Sequence, residues 1–284
     1  MEKTQTGAKP ASRDGDGPAN AAPQRPGLPA MLLEIPGVVP ALSFAGFVAL
    51  WWAGAAWNGN SIQLPTPPEV FGALVSLARD GELFTNAGLS LSRLIVSMSI
   101  AVLIAVPLGF WMGLSETLRR YVDPTIELLR PISGIAWIPL ALFIFGVGGV
   151  LPVFIMTYVA FFPLVMNTFA GVRGADPKLV AAARTMGVGR LRITARVVLP
   201  SALPTIMVGV RLALAGAWSA IIAAELIGAP TGLGFAIEWY RELLASPKVF
   251  AYVGVIAGVG YLADLALQWL QRRLTPWTVG GGLS

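Results

Sequence analysis

Residues 131–172 read PISGIAWIPLALFIFGVGGVLPVFIMTYVAFFPLVMNTFAGV, and this stretch contains no charged side chain. A helix of about 20 apolar residues crosses the hydrocarbon core of a bilayer, so the stretch has room for two spans. The segment GVGG at residues 146–149, followed by Pro152, predicts the turn between them. The spans are helices, because only helices and closed barrels satisfy the backbone in lipid and barrel strands are much shorter.

Four more stretches of the chain are apolar and almost free of charge. They lie at residues 38–57, 94–115, 197–224 and 249–271. The last two hold one charge each, Arg211 and Asp264. The whole chain is 55% hydrophobic and 12% charged, with a mean hydropathy of +0.70. The sequence therefore predicts an all-α polytopic membrane protein with six transmembrane helices, embedded in a lipid bilayer.

The distribution of Lys and Arg predicts the orientation of the spans. Most of the 20 basic residues lie in the tails and in the loops after the second and fourth spans. The opposite side holds Arg79, Arg241 and Lys248. Because cytoplasmic loops carry the excess of Lys and Arg, both termini are predicted to be cytoplasmic. Residues 1–35 are predicted to be a disordered cytoplasmic tail, 36–277 the membrane domain with a loop at 173–200, and 278–284 a cytoplasmic tail.

The composition excludes several classes of function. The chain has no Cys and no His, so it lacks thiolate metal ligands, the usual zinc ligand and the usual general base. We expect no catalytic residue and no metal site, which disfavours a membrane enzyme. The net charge of +5 is explained by the cytoplasmic loops, and no nucleic-acid partner is expected. No G-x-x-x-x-G-K-[ST] loop occurs, so ATP is not expected to bind this chain.

The loop after the fourth span has the signals of an ordered helix-turn-helix. Residues 176–200 read DPKLVAAARTMGVGRLRITARVVLP. A capping residue followed by proline marks a helix start here, as it does at three other places; the four pairs are Thr66-Pro67, Asp123-Pro124, Asp176-Pro177 and Ser246-Pro247. Gly187 is a typical helix stop. The short helix is interpreted as a docking element; the alternative is a basic loop resting on anionic lipid.

This loop resembles the E-A-A, three residues, G, nine residues, I, one residue, L-P motif of permease subunits of bacterial ABC importers. Ala181 stands at the glutamate position, and Val197 stands at the isoleucine position. The resemblance implies a coupling helix that inserts into a groove of an ATPase subunit. The residues that it implies for coupling are Ala181, Ala182, Ala183, Arg184, Gly187, Arg190, Leu199 and Pro200.

The likeness extends to other segments and is strongest to the nitrate, sulfonate and taurine branch of these permeases. The segments are VDPTIELLRPISGIAWIPLALFIFGVG at 122–148, LPSALPTIMVGVRLALAGAWSAIIAAELI at 199–227 and QRRLTPW at 271–277. The resemblance implies the type I ABC importer fold in a bacterial inner membrane. It also implies a homodimer, two cytoplasmic ATPase subunits that bind the ATP, and an extracytoplasmic substrate-binding protein. The implied substrate is a small anion, although relatives also carry aromatic acids and neutral pyrimidine compounds.

Charged residues at membrane depth are candidates for the substrate path. Arg211, Trp218 and Glu225 are seven residues apart, which places them on one stripe of the fifth span. Arg211 is predicted near mid-membrane without an adjacent carboxylate, as a transient counter-charge for an anion; the alternative is that a neighbouring span neutralises it. Glu225, near the outer mouth, and Arg93, which can snorkel, are interpreted as structural. A rival function is a secondary transporter or channel that uses Arg211 and Glu225 as an ion relay.

Overall fold

The computed structural model describes residues 38–278, and every regular element within them is helical. The helices are α1 Val38–Asn58, α2 Pro67–Arg79, α3 Glu82–Leu114, α4 Glu116–Leu129, α5 Ile138–Phe145, α6 Val150–Arg173, α7 Pro177–Thr185, α8 Arg190–Ile193, α9 Leu199–Gly228, α10 Leu233–Glu242 and α11 Ser246–Leu274. The predicted N-terminal tail and residues 279–284 lie outside the described part. The chain divides into two units within α1, after Leu50.

Four helices of the described part are long and apolar enough to cross a membrane: α3, α6, the continuous run Arg190–Gly228 and α11. A fifth candidate, the third span of the sequence analysis, is bent: α4 and the segment Gly134–Phe145 are together long and apolar enough to cross a membrane, but they meet at an angle of 83°. α1 adds a helix of 21 residues without charge. The predicted all-α polytopic architecture is confirmed. The predicted turn at residues 146–149 also lies where expected, between α5 and α6.

The third span differs from its prediction. It was expected to begin at Asp123-Pro124, but Pro124 lies inside α4. The helix begins earlier because the Ser115 hydroxyl accepts a hydrogen bond from the Leu118 amide at 3.3 Å. α4 then ends just before Pro131, which has no amide hydrogen and whose ring clashes with the preceding helical turn.

Two contacts locate the break between α4 and α5. Arg173, at the end of α6, pairs with Glu116 at 2.8 Å. The Tyr158 hydroxyl, one third of the way along α6, donates to the Leu129 carbonyl at 2.8 Å. α4 therefore runs beside the second half of α6, and its 14 residues cover about 21 Å. Since the hydrocarbon core is about 30 Å thick, the break lies inside the membrane.

The core is built around α6, which packs along both α3 and α9. Small residues allow these helices to approach closely, and Ala101 of α3 and Ala217 of α9 have no exposed surface. A second apolar cluster joins α2, α10 and α11 around Tyr252, which is also completely buried. These two packed clusters hold in place the helices that carry the polar side chains described below.

Candidate functional site

The loop helix α7 begins and ends where the sequence predicts. The Asp176 carboxylate accepts a hydrogen bond from the Lys178 amide at 2.8 Å, and Pro177 opens the helix. At the other end Gly187 has a φ of +73°, which glycine adopts at little cost. The Val188 amide donates to the Ala183 carbonyl at 3.1 Å, as in a Schellman motif. Local capping therefore determines the length and exit direction of α7.

α7 and the turn after it expose both apolar and basic side chains. No residue of α7 is buried, and Met186 and Leu191 are 81% and 89% exposed. Among residues 38–278, five exposed basic side chains of this loop form no ion pair: Lys178, Arg184, Arg190, Arg192 and Arg196. Large exposed apolar side chains with a charged rim are typical of a surface that contacts another protein.

The residues expected to couple to an ATPase fall into two groups. Ala182, Ala183 and Pro200 line a groove of 680 Å³ between α7 and the start of α9, together with Trp277. The other five residues are exposed and do not line this groove; they are Ala181, Arg184, Gly187, Arg190 and Leu199. The structure places all of them on one loop. Their contact with an ATPase remains a prediction.

The loop is joined to the fifth span without a break. α8, a π-helical segment Thr194–Val198 and α9 form one run of 39 residues, about 58 Å long. The π-helical segment adds a residue to one turn and changes the helix face by roughly 100°. A displacement of the loop would therefore act directly on α9.

Arg211 matches the alternative drawn from the sequence, neutralisation by a neighbouring span, and not the expectation of an unpaired counter-charge. Its Nε and Nη2 atoms donate to the two carboxylate oxygens of Asp264 at 2.7 and 2.8 Å. Gln268 also donates to Asp264 at 2.8 Å. The prediction that Arg211 lacks a neighbouring carboxylate was wrong, because the acidic partner lies on α11, which packs beside α9.

Trp218 and Glu225 point in different directions along α9. Trp218 donates to the Ile256 carbonyl of α11 at 3.2 Å. Glu225 is completely buried on the side of α3. It accepts hydrogen bonds from Arg93 at 2.6 Å, from Ser90 at 2.8 Å and from the Gly234 amide at 3.0 Å. The residues of the predicted stripe, Arg211, Trp218 and Glu225, therefore do not all contact the same helix. Their role in a substrate path remains a prediction.

The position of Arg93 also corrects the sequence analysis. This arginine lies within α3, is 9% exposed and does not reach toward the interface. Its remaining donors bind the Thr231 carbonyl at 2.7 Å and the Thr231 hydroxyl at 2.8 Å. Arg93 thus connects Glu225 to the loop that follows α9. In this structure the buried carboxylate is fully hydrogen bonded, as a charge in an apolar interior requires.

The hydrogen-bond network extends from Glu225 to the start of α3. Asn86 accepts from the Gly232 amide at 3.1 Å and donates to Tyr252 at 3.2 Å, and Glu82 accepts from Tyr240 at 2.6 Å. Burial, followed by the adjacent Glu82, raises the pKa of the Tyr240 phenol to about 12, so it stays protonated and donates. The sequence analysis missed this network. Its signal was the spacing of Glu82, Asn86, Ser90 and Arg93, which lie on one helix face.

Comparison with known proteins connects this architecture to a family. Residues 105–276 match the model of the binding-protein-dependent transport system inner membrane component. TauC of Escherichia coli (strain K12), a taurine transport system permease protein, is 38% identical over 83% of this chain and 88% of its own length. SsuC of the same strain, named for aliphatic sulfonates transport, is 35% identical over 84% of this chain and 92% of its own.

A solved structure supports the same fold. The inward-facing MetNI methionine ABC transporter has a chain that superposes with a TM-score of 0.59 at 20% identity, covering 70% of this chain and 98% of its own. At this identity the likeness concerns the fold alone. The family match covers more than half of the chain, and the relatives cover most of it. The chain therefore belongs to the inner-membrane permease subunits of binding-protein-dependent ABC importers, whose partners are ATPases and substrate-binding proteins.

Proposed function

We propose that this permease moves a small sulfonate, such as taurine, into the cytoplasm at the expense of ATP hydrolysed by partner subunits. The observation that carries the choice of substrate is the identity of 38% and 35% to permeases named for taurine and for aliphatic sulfonates. Nitrate is a related small oxyanion and is the second substrate to test. In importers of this kind the binding protein contributes strongly to the selection of substrate.

The assembly that we propose contains two copies of this chain, two cytoplasmic ATPases and one external binding protein. ATP binds only the ATPases in this proposal. α7 enters a groove of the ATPase, with its exposed apolar side chains against the groove and the basic side chains on acidic residues at the rim. Its support is the exposure of Met186 and Leu191 beside five unpaired basic side chains. The excess of Lys and Arg in this loop supports a cytoplasmic location for it and for both termini.

Movement of the ATPases is transmitted through residues 176–192 in this mechanism. Closure of the two ATPases around ATP displaces α7, and the run Arg190–Gly228 carries the displacement into the membrane. Arg173, the last residue of α6, also binds Glu116 at the start of α4, so the broken span is connected to the same loop. The spans then alternate between inward and outward openings.

The test is uptake by the reconstituted complex. The permease, its ATPase and its binding protein are placed in liposomes, and uptake of radiolabelled taurine is measured with and without ATP, with nitrate as competitor. We expect uptake that requires ATP, the ATPase and the binding protein. Uptake by the permease alone, driven by an ion gradient, would contradict the proposal and support a secondary transporter or channel.

A further inference from the structure

Arg130 lies at the break of the third span, directly after α4 and before Pro131. The hydrogen bond from Tyr158 to the Leu129 carbonyl fixes the depth of this residue inside the membrane. Because the uncharged stretch begins at Pro131, the charge count from the sequence groups Arg130 with the cytoplasmic loop after the second span, although a helix start was also expected at Asp123-Pro124. Because the preceding residue, Leu129, contacts Tyr158 in the first half of the apolar helix α6, Arg130 is taken to lie at the depth of that span and not in a loop.

Arg130 differs from the other two arginines at membrane depth. Arg93 is neutralised by Glu225 and Arg211 by Asp264. Within residues 38–278 the Arg130 side chain has neither an ion pair nor a hydrogen bond, and it is exposed. A charge at this depth is stable only beside a counter-charge or in a water-filled cavity. The free side chain therefore requires water or an anion next to it.

A cleft is present beside Arg130. Its volume is 370 Å³, within the range of small-ligand pockets, and its lining includes Tyr158, Phe162 and Asn167 of α6. The Asn167 amide group uses one of its hydrogens on the Pro163 carbonyl at 2.8 Å, which leaves another donor and an acceptor. These groups suit a small anionic group, because one cation and the free amide donor of Asn167 line the cleft together with the aromatic rings of Tyr158 and Phe162.

The outer face of α4 indicates that water reaches the cleft. Arg120 is 76% exposed in its side chain, and Glu127, one turn before Arg130, is also exposed. α4 runs beside the half of α6 that ends at Arg173, within the thickness of the bilayer. Charged side chains there cannot face lipid tails, so this face of α4 lines a water-filled vestibule that leads from the loop side to Arg130.

We propose that the cleft at the helix break binds the sulfonate group of the substrate, or a nitrate ion, during its passage, with Arg130 as its counter-charge and Asn167 as a neutral partner. This inference rests on the proposed function and specifies where the substrate is held. A sulfonate has three oxygens, two of which can accept from one planar guanidinium. Arg130 thus takes the role that the sequence analysis gave to Arg211.

The first experiment measures transport by the full complex in liposomes. We expect Arg130→Ala to lower taurine uptake by about 10- to 100-fold, as loss of a charge-assisted hydrogen bond does. Arg130→Lys should retain a measurable part of the uptake.

Two controls accompany this experiment. In Arg130→Ala, the ATPase activity stimulated by the binding protein should stay within about twofold of the unmodified complex, since the loop is untouched. The matched control is Arg272→Ala, which removes an equal charge from an exposed position at the end of α11, outside the cleft lining, and should leave uptake within about twofold.

The second experiment detects the site without transport. The chain has no cysteine, so Ile132→Cys, at the cleft, introduces a single thiol. This thiol reacts in separate experiments with an anionic reagent, sulfonatoethyl methanethiosulfonate, and a cationic reagent, trimethylammonioethyl methanethiosulfonate. Each rate is divided by the rate of the same reagent with free mercaptoethanol. We expect the normalised ratio to favour the anionic reagent, to fall by about tenfold with Arg130→Ala, and taurine to protect the thiol.

The outcomes separate the site from the proposed function. Normal uptake in Arg130→Ala, or a labelling ratio that does not depend on Arg130, would overturn the site. If the unmodified complex takes up no oxyanion but the labelling ratio depends on Arg130 and taurine protects the thiol, the proposed function fails while the site stands. Labelling is repeated in vesicles with and without phosphatidylglycerol. Protection by this anionic lipid in place of taurine would assign the cleft to a headgroup and overturn the proposal.

Discussion

The two ends of the run Arg190–Gly228 treat their charges in opposite ways. At one end Glu225 has no exposed surface and accepts hydrogen bonds from Arg93, Ser90 and the Gly234 amide. At the other end Arg190, Arg192 and Arg196 have no acidic partner in the described part of the chain, and Leu191 is 89% exposed.

This difference distinguishes a region whose buried charges are paired within the chain from a region whose side chains remain available to a partner protein. The buried network around Glu225 satisfies its own groups, so it fixes the relative positions of α3, α9 and α10. The α7 loop keeps its shape through local caps and offers its side chains outward. Mutations at the first end should change folding, and mutations at the second should change coupling while folding is kept.

The largest effect is expected at Glu225. Glu225→Ala leaves the buried guanidinium of Arg93 without its carboxylate, and we expect a loss of about 3–5 kcal/mol in the free energy of unfolding. The measurement is the thermal midpoint of the purified permease in detergent. Glu242→Ala, the same chemical change at an exposed position, is the control and should leave the midpoint unchanged. Equal midpoints for both variants would contradict the comparison.

The next effect concerns the loop and should appear in transport. Gly187→Leu puts a side chain on a φ of +73°, which costs about 1–2 kcal/mol locally and redirects the exit of α7. We expect at least a tenfold loss of ATP-driven uptake, with a thermal midpoint lowered by only a few degrees. Gly189→Leu is the matched control, because Gly189 is equally open but has a φ of −64°. Normal uptake in Gly187→Leu would remove the coupling role.

A smaller effect is expected at Arg211, which lies between the two ends. Arg211 and Asp264 are 48% and 33% exposed in their side chains, so their pair is less desolvated than Arg93 and Glu225. Arg211→Ala should lower the thermal midpoint, but by less than Glu225→Ala, and adding Asp264→Asn should restore part of it. Normal melting together with abolished uptake would instead support Arg211 as a transport residue. Arg211→Lys should be milder in both measurements, since the charge is kept.

Local signals predicted the elements of this fold well. Uncharged stretches gave the spans, and Asp176 and Gly187 gave the limits of α7, because capping depends on residues a few positions apart. The helix start predicted at Asp123 was wrong, since the helix is capped at Ser115, about two turns earlier. Two local signals of the same kind competed, and the sequence does not rank them.

The pairing of charges could not be predicted in the same way. Arg93 and Glu225 are far apart in the chain, as are Arg211 and Asp264, and each pair forms because two helices pack at one depth. The sequence places Asp264 within the sixth span, but it contains no information on which face of α9 this span covers. Arg130 was missed for a related reason, because its depth depends on where α4 begins.

In the coupling proposed above, the continuous helical run Arg190–Gly228 is a rod that the Glu225 network holds at one end and the ATPase loads at the other. Such a rod acts as a lever, with its fulcrum at the hydrogen-bonded Glu225 and its free arm at the loop. Displacements are then greatest where the ATPase pushes and shrink toward the opposite membrane face. Such a lever converts a large displacement outside the bilayer into a small displacement of the span beside the substrate path. A small change in the width of that path is enough to admit or retain a solute.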